Sequence, residues 1–312
     1  SSALWPLSTM GWPRPEAFPE EFPEGSQLLE TFNPSSVLCT AREIITLWVS
    51  RMVMMNRYFM GRLPFTEVYI HAMIQDGHGQ KMSKSLGNGV DPRDIIRSHG
   101  ADALRFTMAQ MATSTQDVRL PLDMVCPHTE KTFEPTFIRN ASGYMVAAPI
   151  QESPFEKGRS MVSSYGVATG EAEPTSDMPL AANTSSRFDV GRNFCNKLWN
   201  AVRFALSNLE NTETDTTAEK PQLIDRWIIS RLYATQTAVE ESIAGFQFNG
   251  YVDSMYSLVW KDFCDWYLEG IKPTVRTNAA QQATLHAALD SILRMLHPLC
   301  PFVTETLWPH LH

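Results

Sequence analysis

The chain has 312 residues, of which 43% are hydrophobic and 19% are charged, so its composition is that of a globular protein with about two domains. The net charge of −8 argues against general nucleic-acid binding, so any contact with RNA must come from local basic patches. No apolar run approaches the roughly 20 residues that span a bilayer, and the five scattered cysteines are typical of reduced thiols in a cytoplasmic protein.

The first predicted helix begins near Thr40 and runs to about Met60. Thr40 is a good N-cap residue, and Glu43 three residues later completes a capping box. Gly61 predicts the end of this helix. Apolar residues then alternate with others over 68–74, a pattern that predicts a buried strand.

Later elements follow from caps and helical periods. Asp91 predicts the start of a helix that ends at Gly100, and a second helix is predicted over 101–111. Over 121–187 Pro, Ser, Thr and Gly dominate without a period, so we expect an irregular insertion or linker, partly ordered at best. The remaining residues predict a helical bundle with segments at about 188–209, 222–244, 249–271, 277–297 and from 301, and with a polar linker at Asn211–Lys220.

A loop rich in donors lies between the predicted strand and the helix at Asp91. It reads Lys81-Met82-Ser83-Lys84-Ser85 and is flanked by glycines on both sides. Two ammonium groups, two hydroxyls and backbone N–H groups form a set that can wrap a polyphosphate. Composition alone leaves open the alternative that this is a solvated surface loop.

The literal string K-M-S-K-S-L-G-N over 81–88 favours phosphate binding. It is similar to the signature loop of the aminoacyl-tRNA synthetases with a Rossmann-type catalytic domain. Other motifs follow the order found in the valyl-tRNA synthetases, at 1–13, 40–52, 100–106, 192–204, 225–232, 262–269 and 297–308. The chain resembles that family over most of its length, except about 120–187. It resembles the isoleucine and leucine enzymes less.

The resemblance implies an α/β plus all-α architecture. Residues 1–120 would be the second half of a Rossmann-type catalytic domain, and 188–312 would be a helical-bundle anticodon-binding domain. A motif of the H-I-G-H type and an editing domain are not found, so we expect a C-terminal piece that is inactive alone.

The resemblance also implies the reaction and its partners. The reaction would be ATP-dependent activation of valine to valyl-adenylate and its transfer to a valine-specific tRNA. Mg²⁺ would enter with ATP, and no protein metal site is expected. The protein would be a cytoplasmic monomer. Two alternatives stay open: part of an isoleucyl-tRNA synthetase, and a non-catalytic tRNA-binding module that retains the loop.

The resemblance assigns the ATP site to the loop and to one acid. Lys81 and Lys84 would be the catalytic residues and would bind ATP together with Ser83 and Ser85. Positive charge is needed where phosphate oxygens gain negative charge, and no general base is required. Glu43 would bond the ATP ribose hydroxyls, although its alternative role is that of capping-box partner.

Two further sets of residues complete the expected sites. Ile44 and Trp48 share a helix face by spacing, which by itself favours helix core, and the resemblance places both in the valine pocket. At 100° per residue the segment 192–204 carries Asn, Arg and Lys on one arc of roughly 140°, which also includes one phenylalanine. The resemblance puts Lys197, Arg203 and Phe204 of that arc in contact with the tRNA anticodon loop.

Overall fold

A computed structural model describes residues 2–23, 27–113, 116–209 and 220–311. The chain forms two compact units. The first extends to Met73, and the second comprises Ile74–Thr113 and Asp117–His312. Among the helices that the structure describes, none is long and apolar enough to cross a membrane.

The first unit is built on two parallel strands, β1 (Ser35–Ala41) and β2 (Phe65–His71). Among the described residues that precede them, α-helix is found at α1 (Trp5–Ser8) and α2 (Leu28–Phe32). The crossover between the strands is a continuous helical stretch that changes its winding: a 3₁₀ turn at Arg42–Ile44, a π-helical turn at Ile45–Val49, and α3 at Ser50–Met60.

The predicted end of this helix is confirmed, and its predicted start is wrong. Gly61 follows Met60 with a φ of 69°, a left-handed conformation that suits glycine. Thr40, however, lies buried within β1, and the helical stretch begins after Ala41 without any side-chain cap. Strand pairing with β2 therefore overrides the local capping signal.

The strand predicted over 68–74 is also divided differently. β2 ends at His71, and a separate strand, β3, runs over Ile74–Asp76 in the second unit. Val68 is 39% exposed, so β2 is not the buried strand that its alternation predicts. Apolar alternation indicates which residues share a face, but it does not show what covers that face.

The second unit opens with two parallel strands that enclose a helical pair. β3 is followed by the K-M-S-K-S loop, α4 (Pro92–His99), α5 (Ala101–Met111) and β4 (Val118–Leu120). The predicted cap of α4 is confirmed, because the Asp91 carboxylate accepts a hydrogen bond of 2.8 Å from the Arg93 backbone N–H.

The segment 121–187 differs from its sequence expectation because it contains short strands and one short helix. Antiparallel pairing joins β7 to β8, β9 to β10, and β11 to β5 to β6. Their ranges are β5 Asp123–Val125, β6 Thr132–Phe133, β7 Phe137–Arg139, β8 Met145–Ala147, β9 Ile150–Glu152, β10 Ser160–Val162, α6 Ser164–Thr169 and β11 Ala182–Thr184. Such strands are too short to show a two-residue period in the sequence. Met124, Cys126 and Met161 form a small core of their own.

The predicted helical bundle is confirmed. Its helices are α7 (Asp189–Leu209), α8 (Leu223–Ala244), α9 (Phe248–Tyr256), α10 (Glu269–Ile271), α11 (Ala279–Leu296) and α12 (Pro301–Leu307). A π-helical stretch at Ser257–Leu268 connects α9 to α10. Phe194, Phe263 and Leu289 belong to the main apolar core. Most of the linker predicted at Asn211–Lys220 lies outside the described residues.

The helical pair and the bundle are joined through specific polar contacts. The buried Asp102 carboxylate of α5 accepts hydrogen bonds from the backbone N–H groups of Phe302 (3.2 Å) and Val303 (2.6 Å), at the start of α12. The Arg105 guanidinium donates to the carbonyl of Pro298 at 2.7 Å. α5 and α7 also approach closely, since a Cβ on Gly191 would lie 2.4 Å from the Ala103 carbonyl oxygen.

Candidate functional site

The K-M-S-K-S loop (Lys81–Ser85) exposes its charged side chains and is anchored by one apolar side chain. Lys81 and Lys84 are exposed, and Lys84 makes no ion pair with any residue that the structure describes. Met82 packs against the buried apolar cluster that includes Ile95. The loop therefore exposes positive charge while the packing of Met82 holds its backbone in place.

The two serine hydroxyls shape the turn of the loop. Ser83 Oγ accepts a hydrogen bond of 3.2 Å from the Leu86 backbone N–H and lies 3.1 Å from Ser85 Oγ. The Gly87 N–H closes the turn on the Lys84 carbonyl at 3.2 Å. Each hydroxyl has further hydrogen-bonding capacity, since a hydroxyl offers one donor and two acceptor positions.

A nearly buried carboxylate connects the two ends of the loop. Asp76 is 2% exposed, and its Oδ2 accepts from Asn88 Nδ2 at 2.8 Å, while Asn88 Oδ1 accepts from the Ser83 N–H at 2.9 Å. Asp76 Oδ1 accepts from the backbone N–H groups of His78 and Gln80. Burial alone would raise the pKa of Asp76, but the hydrogen bonds from Asn88 and Gln80 hold it below its ordinary value. Asp76 is thus ionised, and its hydrogen bonds hold the chain before and after the loop together.

The residues expected at the ribose and valine sites belong to the first unit. Glu43 is exposed on the 3₁₀ turn, Ile44 is half-buried at its end, and Trp48 is half-buried in the π-helical turn. The spacing argument assumed one regular α-helix, whereas the two apolar residues lie in segments of different winding. Trp48 packs against the cluster of Val49 and Met52, so part of its ring has a structural role.

The polar face predicted for α7 is confirmed. Its exposed residues include Arg192, Asn193, Asn196, Asn200 and Arg203. Lys197 and Phe204, by contrast, are half-buried.

Trp199 is also exposed on this face, although at 100° per residue it lies just outside the predicted polar arc. It is 36% exposed and shares a line along the helix with Asn196 and Arg203, at spacings of three and four residues. Its position at the border of the polar arc is the only sequence signal that indicates this exposure.

The basic residues of α7 differ in their freedom to bind another molecule. Lys197 Nζ lies 2.9 Å from Asp265 Oδ1 and 4.5 Å from the centre of the Trp260 ring. The hydrogen bond to Asp265 raises the pKa of Lys197. Arg203 is exposed and forms no ion pair within the described part of the chain, so its guanidinium is available.

Phe204 borders both the core and the surface. Its ring packs against the main core of the bundle, and Lys272 Nζ lies 5.5 Å from the ring centre. The helical-angle argument places Phe204 apart from the apolar stripe. In the structure the ring is partly covered, because it packs against the core and Lys272 from a different part of the chain lies over it.

No metal site is evident among the residues that the structure describes. Across the described ranges, no three His, Cys, Asp or Glu side chains come together in a way that could hold an ion.

Two family models match the chain. Residues 1–121 match the class I tRNA synthetases of the I, L, M and V group, and residues 225–312 match the anticodon-binding domain of tRNA ligase. The chain is 42% identical to the valine–tRNA ligase of Rhodopirellula baltica and 36% identical to that of Fervidobacterium nodosum. Each comparison covers 100% of this chain and 28% of the relative, so the chain spans about 28% of the length of these relatives.

Solved structures with low sequence identity share the fold. The LeuRS of Agrobacterium radiobacter K84, in a ternary complex with tRNA and LeuAMS, aligns with a TM-score of 0.63 at 18% identity, over 99% of this chain and 31% of that one. The methionyl-tRNA synthetase of Mycobacterium tuberculosis, in complex with methionyl-adenylate, aligns with a TM-score of 0.54 at 15% identity, over 92% of this chain and 46% of that one.

Proposed function

Because this chain belongs to the valine–tRNA ligase family, we propose that it supplies the K-M-S-K-S half of an ATP site and an anticodon-binding domain to a protein that activates valine. Residues 1–120 form part of the catalytic domain in this proposal, 188–312 bind tRNA, and 121–187 lie between them. The observation that carries the proposal is the loop itself, which exposes Lys81 and Lys84 on an anchored backbone.

The chemistry needs positive charge more than it needs a base. A carboxylate oxygen of valine attacks the α-phosphorus of ATP, the bond to the bridging oxygen breaks, and pyrophosphate leaves with its electrons. Lys81 and Lys84 stabilise the negative charge that grows on the phosphate oxygens, and the hydroxyls of Ser83 and Ser85 donate to the same oxygens. The carboxylate is ionised at neutral pH, so no residue has to remove a proton from it. Mg²⁺ arrives bound to ATP, and the described part of the chain offers no cluster of ligands for it.

Three residues of the first unit are the candidates for binding valine and the ribose. Ile44 and Trp48 offer an aliphatic and an aromatic wall for the valine side chain, a combination suited to a small branched apolar group. Glu43 is exposed and carries acceptor oxygens for the ribose hydroxyls.

The second site uses the exposed face of α7 for tRNA. Arg203, which forms no ion pair with any described residue, supplies a cation for a phosphate, and Lys197 supplies a second cation at the edge of the bundle. Phe204 and Trp199 offer aromatic faces on which unstacked bases of a loop can stack. The overall negative charge of the chain confines such binding to this local surface.

Amino-acid dependence of ATP–pyrophosphate exchange tests the proposal. The measurement uses a protein that carries this chain at the full length of its relatives. We expect exchange with valine, and a much lower kcat/KM with isoleucine because its extra methylene overfills the pocket. Exchange that prefers isoleucine would identify the alternative synthetase. Specific tRNA binding without any exchange would identify a non-catalytic module.

A further inference from the structure

We propose that the segment 121–187 is a structural support, or seat, for the K-M-S-K-S loop. It holds the chain on both sides of the loop through hydrogen bonds made by the side chains of Gln80 and Asn183. The chemistry proposed above uses no residue of this segment. It nevertheless contacts the chain immediately before and after the loop, while Lys84 between these contacts stays exposed. Only the consequence for catalysis rests on the proposed function, because the seating itself is a property of this chain alone.

The side of the loop that precedes Lys81 is held by a paired amide contact. Gln80 Nε2 donates to the Met145 carbonyl at 2.7 Å, and Gln80 Oε1 accepts from the Met145 N–H at 2.8 Å. Met145 is the first residue of β8. The Gln80 side-chain amide therefore pairs with both the N–H and the carbonyl of one strand residue, as the backbone of a neighbouring strand would. The same Nε2 also donates to Asp76 Oδ2 at 2.7 Å.

The side that follows Ser85 is held by a second amide. Asn183 is 4% exposed and lies in β11, and its Nδ2 donates to the carbonyls of Gly87 at 2.8 Å and Gly89 at 2.7 Å. Gly87 also rests directly on the backbone at the start of α6. Its φ is +57°, and a Cβ there would lie only 2.2 Å from the Tyr165 nitrogen, so this contact requires glycine.

Asp76 and Asn88 connect the two sides beneath the loop. Asp76 accepts from Gln80 on one side and from Asn88 on the other, and Asn88 in turn accepts from the Ser83 N–H. Gln80, Asp76 and Asn88 therefore form one hydrogen-bond network, and Asn183 bonds to the backbone carbonyls on either side of Asn88. Motion of the loop is confined to the few residues between Lys81 and Leu86 as long as this network is intact.

Such a seat acts by positioning. A charged group stabilises a transition state only when it is held at the right place, and small misplacements cause large losses of rate. Gln80 and Asn183 touch neither Lys84 nor any reacting atom in this scheme, so they are positioning residues. They explain why an enzyme would retain this segment although it supplies no reactive side chain.

The test compares Gln80→Ala and Asn183→Ala with a matched control, Gln151→Ala. Gln151 is 2% exposed and makes the same kind of contact inside the segment: its Oε1 accepts from the Thr136 N–H at 2.8 Å, and its Nε2 donates to the Thr136 carbonyl at 3.0 Å. Its hydrogen bonds go to Thr136 and Ala148 and not to the loop, so its loss reports general damage to the segment. Circular dichroism establishes that each variant is folded before it is compared.

The first readout is limited trypsin digestion of this chain, followed by mass spectrometry of cleavage after Lys81 and Lys84. We expect cleavage there to become roughly tenfold faster in Gln80→Ala, which loses three hydrogen bonds beside the loop, and in Asn183→Ala, which loses two. Gln151→Ala should cleave at the wild-type rate at these two sites. Equal rates in all four proteins would overturn the proposal.

The second readout is valine-dependent pyrophosphate exchange by the full-length protein that carries this chain. We expect a roughly tenfold lower kcat for the two seat variants with an unchanged KM for valine, and a normal kcat for Gln151→Ala. Faster cleavage with a normal kcat would overturn the positioning role. A wild-type protein without valine-dependent exchange would refute the proposed function instead, and the cleavage comparison would still decide whether the seat exists.

Discussion

Met82 and Lys84 lie two residues apart on the K-M-S-K-S loop and have opposite environments. Met82 packs into the apolar cluster around Ile95, whereas Lys84 is exposed. The loop is therefore attached to the apolar core through Met82 and exposes a positive charge through Lys84. These two environments are properties of the protein without any ligand.

Replacing Phe204 tests the proposed tRNA-binding surface at the level of one side chain. We expect Phe204→Ala to weaken tRNA binding by about 1–3 kcal/mol, the usual value for one base stacked on an aromatic ring. Its effect on unfolding should be smaller than that of Phe194→Ala, which empties a fully buried site and should cost about 3–5 kcal/mol. Filter binding and urea unfolding of both variants provide the measurement. A large stability loss with unchanged affinity of the folded Phe204→Ala protein would make Phe204 a core residue alone.

At the scale of elements, the end of α4 meets the start of α7 through a histidine. His99 is almost buried, and its Nε2 lies 3.4 Å from Asp189 Oδ1, which also accepts from Arg192 at 2.6 Å. Burial lowers the pKa of His99, the positive charge of Arg192 lowers it further, and Asp189 only partly opposes this shift. The folded protein therefore favours the neutral form of the His99 imidazole over the protonated form.

This selection predicts a pH dependence of stability. The unfolded chain takes up a proton on His99 near its ordinary pKa of about 6.5, whereas the folded protein takes it up only at lower pH. The free energy of unfolding should therefore fall between about pH 7.5 and about pH 5.5, and His99→Gln should show a smaller fall. Urea titrations of both proteins at the two pH values measure the difference. An identical pH dependence would contradict the assignment.

The junction between α5 and α12 provides another prediction for the elements. Asp102 caps the start of α12 from a different helix, so Asp102→Ala leaves backbone N–H groups without an acceptor. We expect a loss of about 1–2 kcal/mol in the free energy of unfolding, as for other removed caps. Asp253→Ala is the control, because Asp253 is exposed on α9 and should cost less than about 0.5 kcal/mol. Equal effects in urea unfolding would refute the capping role.

On the scale of the whole molecule, the sequence predicts best where local signals and tertiary structure agree. The family resemblance read from the motifs is confirmed by relatives that align over the entire chain. The bundle helices are confirmed within a few residues because each carries a long apolar period. Asp91 and Gly100 bound α4 as predicted, because the cap and the stop are local backbone effects.

Tertiary contacts decide the features that the sequence does not reveal. Thr40 has the local chemistry of a helix cap, yet pairing with β2 keeps it in a strand. Strands of two or three residues over 123–184 leave no period to detect. The paired amides of Gln80 and Asn183 depend on residues 65 and about 95 positions away, so no local pattern predicts them.

Replacing Lys84 tests the central claim, that this loop stabilises the transition state of adenylate formation. In the full-length protein that carries this chain, Lys84→Ala should lower the rate of valine-dependent pyrophosphate exchange by roughly 10²–10³, with an almost unchanged KM for valine. Lys157→Ala is the control, because this exposed lysine lies in the turn between β9 and β10, and it should exchange at the wild-type rate. A normal rate with weaker valine binding in Lys84→Ala would contradict the account.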